Sequence, residues 1–115
     1  MPYWREKQPC VYILASARDG VLYIGVTSAL VDRMLQHKQG LIEGFTKRYG
    51  VRLLVYYEMH ETMDAAIKRE PNMKAWKRAW KVRLIKQANP EWRDLFDLAT
   101  SEVFDLPSDF QARSF

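Results

Sequence analysis

At 115 residues, 48% of them hydrophobic and 13% aromatic, the chain has material for one compact domain and little room for a second. Its 18 Lys/Arg against 14 Asp/Glu give a net charge of +4, and the excess is concentrated: residues 68–86 hold Lys68, Arg69, Lys74, Lys77, Arg78, Lys81, Arg83 and Lys86 against Glu70 alone, while residues 87–115 are acidic. The single Cys10 excludes an internal disulfide, no apolar run approaches a membrane span, and the first residues carry no basic-then-apolar signal pattern; a soluble, cytoplasmic protein with no membrane partner is expected.

Residues 1–9 contain two prolines and read as a lead-in. Residues 10–16 (CVYILAS) are apolar and partly β-branched, which suits a buried strand. Asp19-Gly20 is a hairpin signal, and residues 21–27 (VLYIGVT) form the return strand. Gly25 within it marks a bulge or the close approach of another backbone. Thr27 and Ser28 are N-cap candidates for a helix from Ala29 to about Gln39, closed by Gly40. Residues 42–50 (IEGFTKRYG) read as a loop and 51–59 (VRLLVYYEM) as a third strand. A second helix starts at Thr62 or Asp64 and runs through Glu70. A third helical run covers 73–88, with Trp76, Trp80, Leu84 and Ile85 on its core side, and Asn89-Pro90 stops it. Residues 91–98 add a short helical turn, and 99–115 form an acidic, weakly patterned, flexible tail. Trp92 and Cys10 read as core residues and His60 as an exposed strand-end residue. The sum is an α+β domain over residues 10–98: a small, three-stranded, largely antiparallel sheet flanked by helices.

Two strands joined by so short a turn must pair, which brings Tyr12 and Tyr23 to one face of the sheet. Arg33 and His37 lie four apart and project from one face of the following helix. Two phenols, a guanidinium and an imidazole then converge in the first third of the chain, a set suited to cleaving a phosphodiester. Lys74, Lys77, Arg78 and Lys81 recur at three- and four-residue steps and would face a nucleic-acid backbone, giving affinity without sequence information.

Val11-Tyr12-Ile13, then Tyr23-Ile24-Gly25, then Arg33 and His37, then Glu70 on a later helix resembles the GIY-YIG nuclease superfamily, in particular its small stand-alone bacterial branch. The stretches LYIGVTSALVDRMLQHK, GFTKRYGVRLLVYYE and AWKRAWKVRLIKQANPEW carry the resemblance across about Val11 to Leu98. It implies a GIY-YIG-like fold and divalent-metal-dependent endonuclease activity on nucleic acid, with DNA favoured over RNA. By position, Tyr12 and Tyr23 become the motif tyrosines, Arg33 the catalytic arginine, His37 the residue one turn later and Glu70 the lone metal-binding carboxylate. Asn89 is a candidate for an asparagine the family commonly uses. The implied cofactor is one Mg²⁺ or Mn²⁺ ion, with no small-molecule cofactor. One such ion needs few protein carboxylates.

Without the resemblance, Glu70 reads as a helix-surface carboxylate paired with Lys74. Pro71 directly after Glu70 departs from the family pattern, where a helix-compatible residue such as lysine is usual. Either the helix breaks at Glu70, or it kinks and still presents Glu70 inward. Pro71 is expected to lower metal affinity relative to lysine. The rival to a nuclease is a module that keeps the fold and the basic stripe but cuts poorly or not at all; a third reading is an interaction domain of a DNA-repair assembly.

Overall fold

The computed structural model describes residues 8–42 and 44–106. Residues 1–7 of the expected lead-in and 107–115 of the expected tail lie outside the described residues. In chain order the elements are β1 (Cys10–Ala15), β2 (Leu22–Thr27), α1 (Leu30–Lys38), α2 (Phe45–Tyr49), β3 (Leu53–Met59), α3 (Met63–Ala75), α4 (Arg78–Ala88), β4 (Phe96–Asp97) and β5 (Glu102–Val103). The main sheet has the order β2-β1-β3, and both pairings are antiparallel.

β1 is the central strand, and all six of its residues are buried. A strand covered on both faces reads as a continuous apolar run, as CVYILA does. Val11, Ile13 and Ala15 pack with Ile24, Val55 and Tyr56 against Ala66 and Met73 of α3 and Leu84, Ile85 and Ala88 of α4. Cys10, Tyr12 and Leu14 face the other way, onto Leu30, Val31 and Met34 of α1 and onto Leu95 and Phe96. The period of two along β1 thus divides the core into two layers and puts Tyr12 in the α1 layer.

β3 carries one extra residue. Leu14 faces Leu54 and Ile13 faces Tyr56, so Val55 is a bulge. The Val55 carbonyl accepts from Asn89 Nδ2 at 3.1 Å, and the same amide donates to the Arg93 carbonyl at 2.8 Å while Asn89 Oδ1 accepts from Arg93 N at 3.1 Å. Asn89 is therefore a buried bracket that satisfies the bulge and turns the chain after α4.

Gly40, at φ +69°, follows α1 as expected; its N–H reaches the His37 carbonyl, and the Leu41 N–H reaches that of Gln36. This is a Schellman closure, and it needs a residue comfortable in the left-handed region. Neither Thr27 nor Ser28 is the N-cap: Ala29 is, with Thr27 Oγ1 accepting from Ala29 N at 3.0 Å. Thr62 caps α3, accepting from Ala65 N at 3.1 Å. The expected loop at 42–50 contains α2, and no helical turn forms over 91–98, where β4 lies instead. Within the described part of 99–115, Glu102–Val103 form β5 against β4, and the Phe104 carbonyl accepts from Tyr57 at 2.7 Å.

The expected helical run 73–88 is also corrected. α3 ends at Ala75, Trp76 and Lys77 are extended, and α4 starts at Arg78. Trp76 lies against the Arg69 guanidinium (5.0 Å), and Arg78 donates to the carbonyls of Asp19 and Gly20 in the β1–β2 turn at 2.9 and 2.6 Å. Leu84 and Ile85 are buried, but Trp80 is 55% exposed and not a core residue. Pro71 does not break α3, which runs on through it. Pro71 and Ile67 lie on the exposed side, so the Ile67 carbonyl that loses its donor faces water.

Candidate active site

Tyr12 and Tyr23 come from adjacent strands on the α1 face. Tyr12 is opposite Gly25, and Tyr23 is opposite Leu14, so the two rings meet diagonally, with centroids 6.3 Å apart. Gly25 makes this possible, though neither as a bulge nor through an approaching backbone. A Cβ at Gly25 would stand 2.5 Å from both Cζ and the hydroxyl of Tyr12, so the phenol lies directly over the glycine. Gly25→Ala should therefore push against a buried ring, costing about 1–3 kcal/mol. Urea unfolding measures that loss, and wild-type stability in the variant would show that the ring can move aside.

α1 supplies the next two groups. The Tyr12 hydroxyl and His37 Nε2 are 3.2 Å apart, and the His37 ring sits edge-on to Tyr12 and Tyr23 at 5.9 and 6.0 Å. Residues 33, 34 and 37 share one side of α1; Met34 anchors that side in the core and Arg33 is half-buried beside it. α1 is held at its C-terminal end by an ion pair between Lys38 and Asp94, whose other oxygen accepts from Leu54 N at 3.1 Å.

Burial sets the electrostatics. It pushes the Tyr12 phenol well above its usual range; the neighbouring Tyr23 adds to this, and Arg33 pulls back. His37 is lowered from 6.5 to about 4 by burial and by the Arg33 charge. The imidazole is thus neutral at pH 7 and pairs with the phenol without charge. Its Nδ1 is buried without a hydrogen-bond partner among the described residues. Between about pH 6.5 and pH 4 the unfolded chain binds a proton that the native imidazole refuses. Stability from this group is complete above about pH 6.5 and is lost as the pH falls, by roughly 3 kcal/mol in all. Urea melts of wild type and His37→Gln at about pH 7 and about pH 4.5 will show it as a steeper acid loss in wild type; parallel losses would contradict it.

Glu70 sits on α3 with a side chain 21% exposed, and its charge is among those felt at the Tyr12 hydroxyl. It also pairs with Lys74 Nζ at 3.3 Å, the contact that the simpler helix-surface reading anticipates. Among the described residues no three His, Cys, Asp or Glu side chains cluster as metal ligands. Glu70 is the one carboxylate whose charge is felt at the Tyr12 hydroxyl, and a hard divalent ion that keeps most of its waters could take it as a ligand.

The four basic candidates do not share one helix. Lys74 and Lys81 flank the break between α3 and α4, Lys81 Nζ donates to the Lys74 carbonyl at 3.1 Å, and both line a cavity of about 310 Å³ along the free edge of β2 with Tyr23 and Phe45. Lys77 is exposed in the linker, and Arg78 is occupied by the turn carbonyls. Asn89 is committed to the bracket described above. His60 is not a bare strand-end residue: its Nε2 lies 2.7 Å from Glu58 Oε2. Phe45 and Tyr49 carry no signal in a loop over residues 42–50; in α2 their four-residue spacing puts both rings on one face.

A sheet that aligns two phenols with a buried imidazole and an arginine, beside the helix that carries Glu70, marks a protein of the GIY-YIG class. The model of the GIY-YIG catalytic domain matches residues 8–83. UPF0213 proteins of Staphylococcus aureus strains Mu3 and Mu50 are each 40% identical over 77 residues, covering 67% of this chain and 93% of theirs. The solution NMR structure of a UPF0213 protein from Bacillus halodurans is 25% identical, with a TM-score of 0.49, over 80% of this chain and 97% of that one. The chain belongs to the GIY-YIG family, as a small protein of the UPF0213 kind.

Proposed function

We propose that the protein is a divalent-metal-dependent endonuclease that hydrolyses phosphodiester bonds in nucleic acid, DNA foremost, choosing its target by structure more than by sequence. The observation that carries this reading is the mutual contact of Tyr12, Tyr23 and His37 within reach of the Arg33 charge. Tyr12 is buried with its hydroxyl on His37, whereas Tyr23 is half-buried and lines the β2-edge cavity with Lys74 and Lys81. Tyr23 is therefore the phenol that water and a phosphate reach; its own proton passes to solvent, and the phenolate oxygen then takes the proton from the attacking water. The Tyr12–His37 pair behind it holds the ring in place. Arg33, whose planar fork cannot lose its charge, binds the non-bridging oxygens as negative charge builds on them. Glu70 would hold the ion, which when bound lowers the pKa of a coordinated water and offsets phosphate charge. Lys74 and Lys81 hold the strand against the β2 edge.

Incubating end-labelled branched, single-stranded and duplex DNA, and RNA of the same sequence, with the protein and Mg²⁺ or Mn²⁺ tests this. Metal-dependent internal cuts are expected; binding with no cutting on any substrate would leave the nucleic-acid-binding module as the better reading. Because α3 stays helical through Pro71, replacing it alters only the exposed turn beside Glu70. Pro71→Lys should therefore leave Mn²⁺ affinity close to that of wild type in a titration followed by electron paramagnetic resonance; clearly tighter binding would show that Pro71 lowers metal affinity despite the unbroken helix.

A further inference from the structure

α2 stands directly beside the phenols. Phe45 stacks on Tyr23, with centroids 6.3 Å apart and planes 26° from parallel, and packs against Tyr49 at 4.8 Å. Both are large apolar rings left in water: Phe45 is 46% exposed and Tyr49 is 49% exposed. Thr46 is the only buried residue of this five-residue helix, so core packing does not account for them. The Arg48 guanidinium lies 5.5 Å from the Tyr49 ring centre. Phe45, Tyr49, Lys47 and Arg48 border an open hollow of about 550 Å³. Phe45 is also a wall of the cavity on the β2 edge, with Tyr23, Lys74 and Lys81. One aromatic ring thus joins two basic hollows, and it touches the phenol assigned to the attacking water.

A partner for this surface needs flat π faces and negative charge on either side of them. A nucleotide strand has both. Bases inside a duplex already have their faces covered by their neighbours, whereas an unpaired base can lie on an aromatic side chain. We infer that Phe45 and Tyr49 form a stacking shelf for an unpaired base flanking the scissile phosphate, so that the preferred substrate is single-stranded at the site of cleavage. This rests on the nuclease reading above. Arg48 serves the phosphates on the outer side of the shelf, and Lys74 and Lys81 those on the inner side.

Binding without cutting tests it. A short single strand and the blunt duplex of the same sequence, each carrying one 2-aminopurine, are titrated with wild type, Phe45→Ala, Tyr49→Ala, Phe45→Trp and Lys77→Ala in buffer containing EDTA, with circular dichroism confirming each fold. Wild type should prefer the single strand and quench its fluorophore. The two alanine variants should lose roughly tenfold on the single strand and little on the duplex. Phe45→Trp should retain the preference, and Lys77→Ala should weaken both forms alike. Equal binding of both forms, unchanged by the aromatic variants, would overturn the shelf and leave the nuclease reading standing. No binding to either form would overturn both. A dimer seen by sedimentation and lost in Tyr49→Ala would assign the rings to a second copy of the chain and overturn the shelf as well.

Discussion

Arg33→Ala will slow strand cutting by about 10³-fold while leaving nucleic-acid binding within a few-fold of wild type. The size follows from removing a fixed cation from a phosphoryl-transfer transition state, where a single arginine is worth about 10³–10⁵ in rate. The separation of cutting from binding follows from geometry. Arg33 projects from α1 beside His37, where its charge acts on the Tyr12 phenol and the imidazole, whereas Lys74 and Lys81 line the cavity on the edge of β2. Glu70→Gln belongs to the same experiment. It keeps the size of the side chain and abolishes the charge, so Mn²⁺ affinity and cutting should fall together. Stability should stay within about 1 kcal/mol, because the pair of half-buried Glu70 with exposed Lys74 contributes little. Undiminished cutting by either variant would place the chemistry elsewhere on the molecule. Loss of all nucleic-acid binding in Arg33→Ala would make it an anchor and not a catalytic residue.

Glu58→Ala should be strongly destabilising, at about 3–5 kcal/mol. The Glu58 side chain is 9% exposed, and Tyr56, His60 and Arg69 converge on its two oxygens. Oε1 accepts from the Tyr56 hydroxyl at 2.7 Å and from Arg69 NH2 at 3.3 Å; Oε2 accepts from Arg69 Nε at 2.9 Å and lies 2.7 Å from His60 Nε2. Trp76 covers the outer face of the guanidinium. The cluster fastens α3, the helix that carries Glu70, to β3. Truncating the carboxylate leaves Arg69 charged and unpaired between the sheet and Trp76, and a stranded charge costs far more than a missing surface ion pair. Glu58→Gln keeps part of the hydrogen bonding and should lose less. Urea unfolding of the two variants measures the difference. Wild-type stability in Glu58→Ala would mean that Arg69 finds water as readily as it finds the carboxylate.

The same cluster illustrates what a single sequence hides. His60, Glu58 and Arg69 each read as ordinary charged residues at a strand end or on a helix, since nothing in their spacing says that a strand and a helix bring them together. Trp76 and Trp80 fit a helical stripe over 73–88, and that stretch contains no glycine or proline to mark a stop. The chain breaks there because Trp76 docks on Arg69 and Arg78 docks on the β1–β2 turn, contacts formed between distant segments. α2 escaped detection for a related reason: its five residues lie between Gly44 and Gly50, and a helix that short has no periodicity to read.

Elsewhere local chemistry was enough. An apolar β-branched run, an Asp-Gly turn and a second run dictate a hairpin, and a hairpin with alternating side chains puts Tyr12 and Tyr23 on one face whatever surrounds it. The four-residue step from Arg33 to His37 fixes their shared direction in the same way. Those features depend on bonds and spacings within a few residues, so the sequence by itself determined them. Which face of the sheet α1 would cover, how far Tyr12 would sink, which phenol would keep access to water and that Phe45 would lie against Tyr23 were decided only by the tertiary structure. Each of these depends on how much water the packed elements exclude around a group, and that quantity exists only once distant parts of the chain have closed over it.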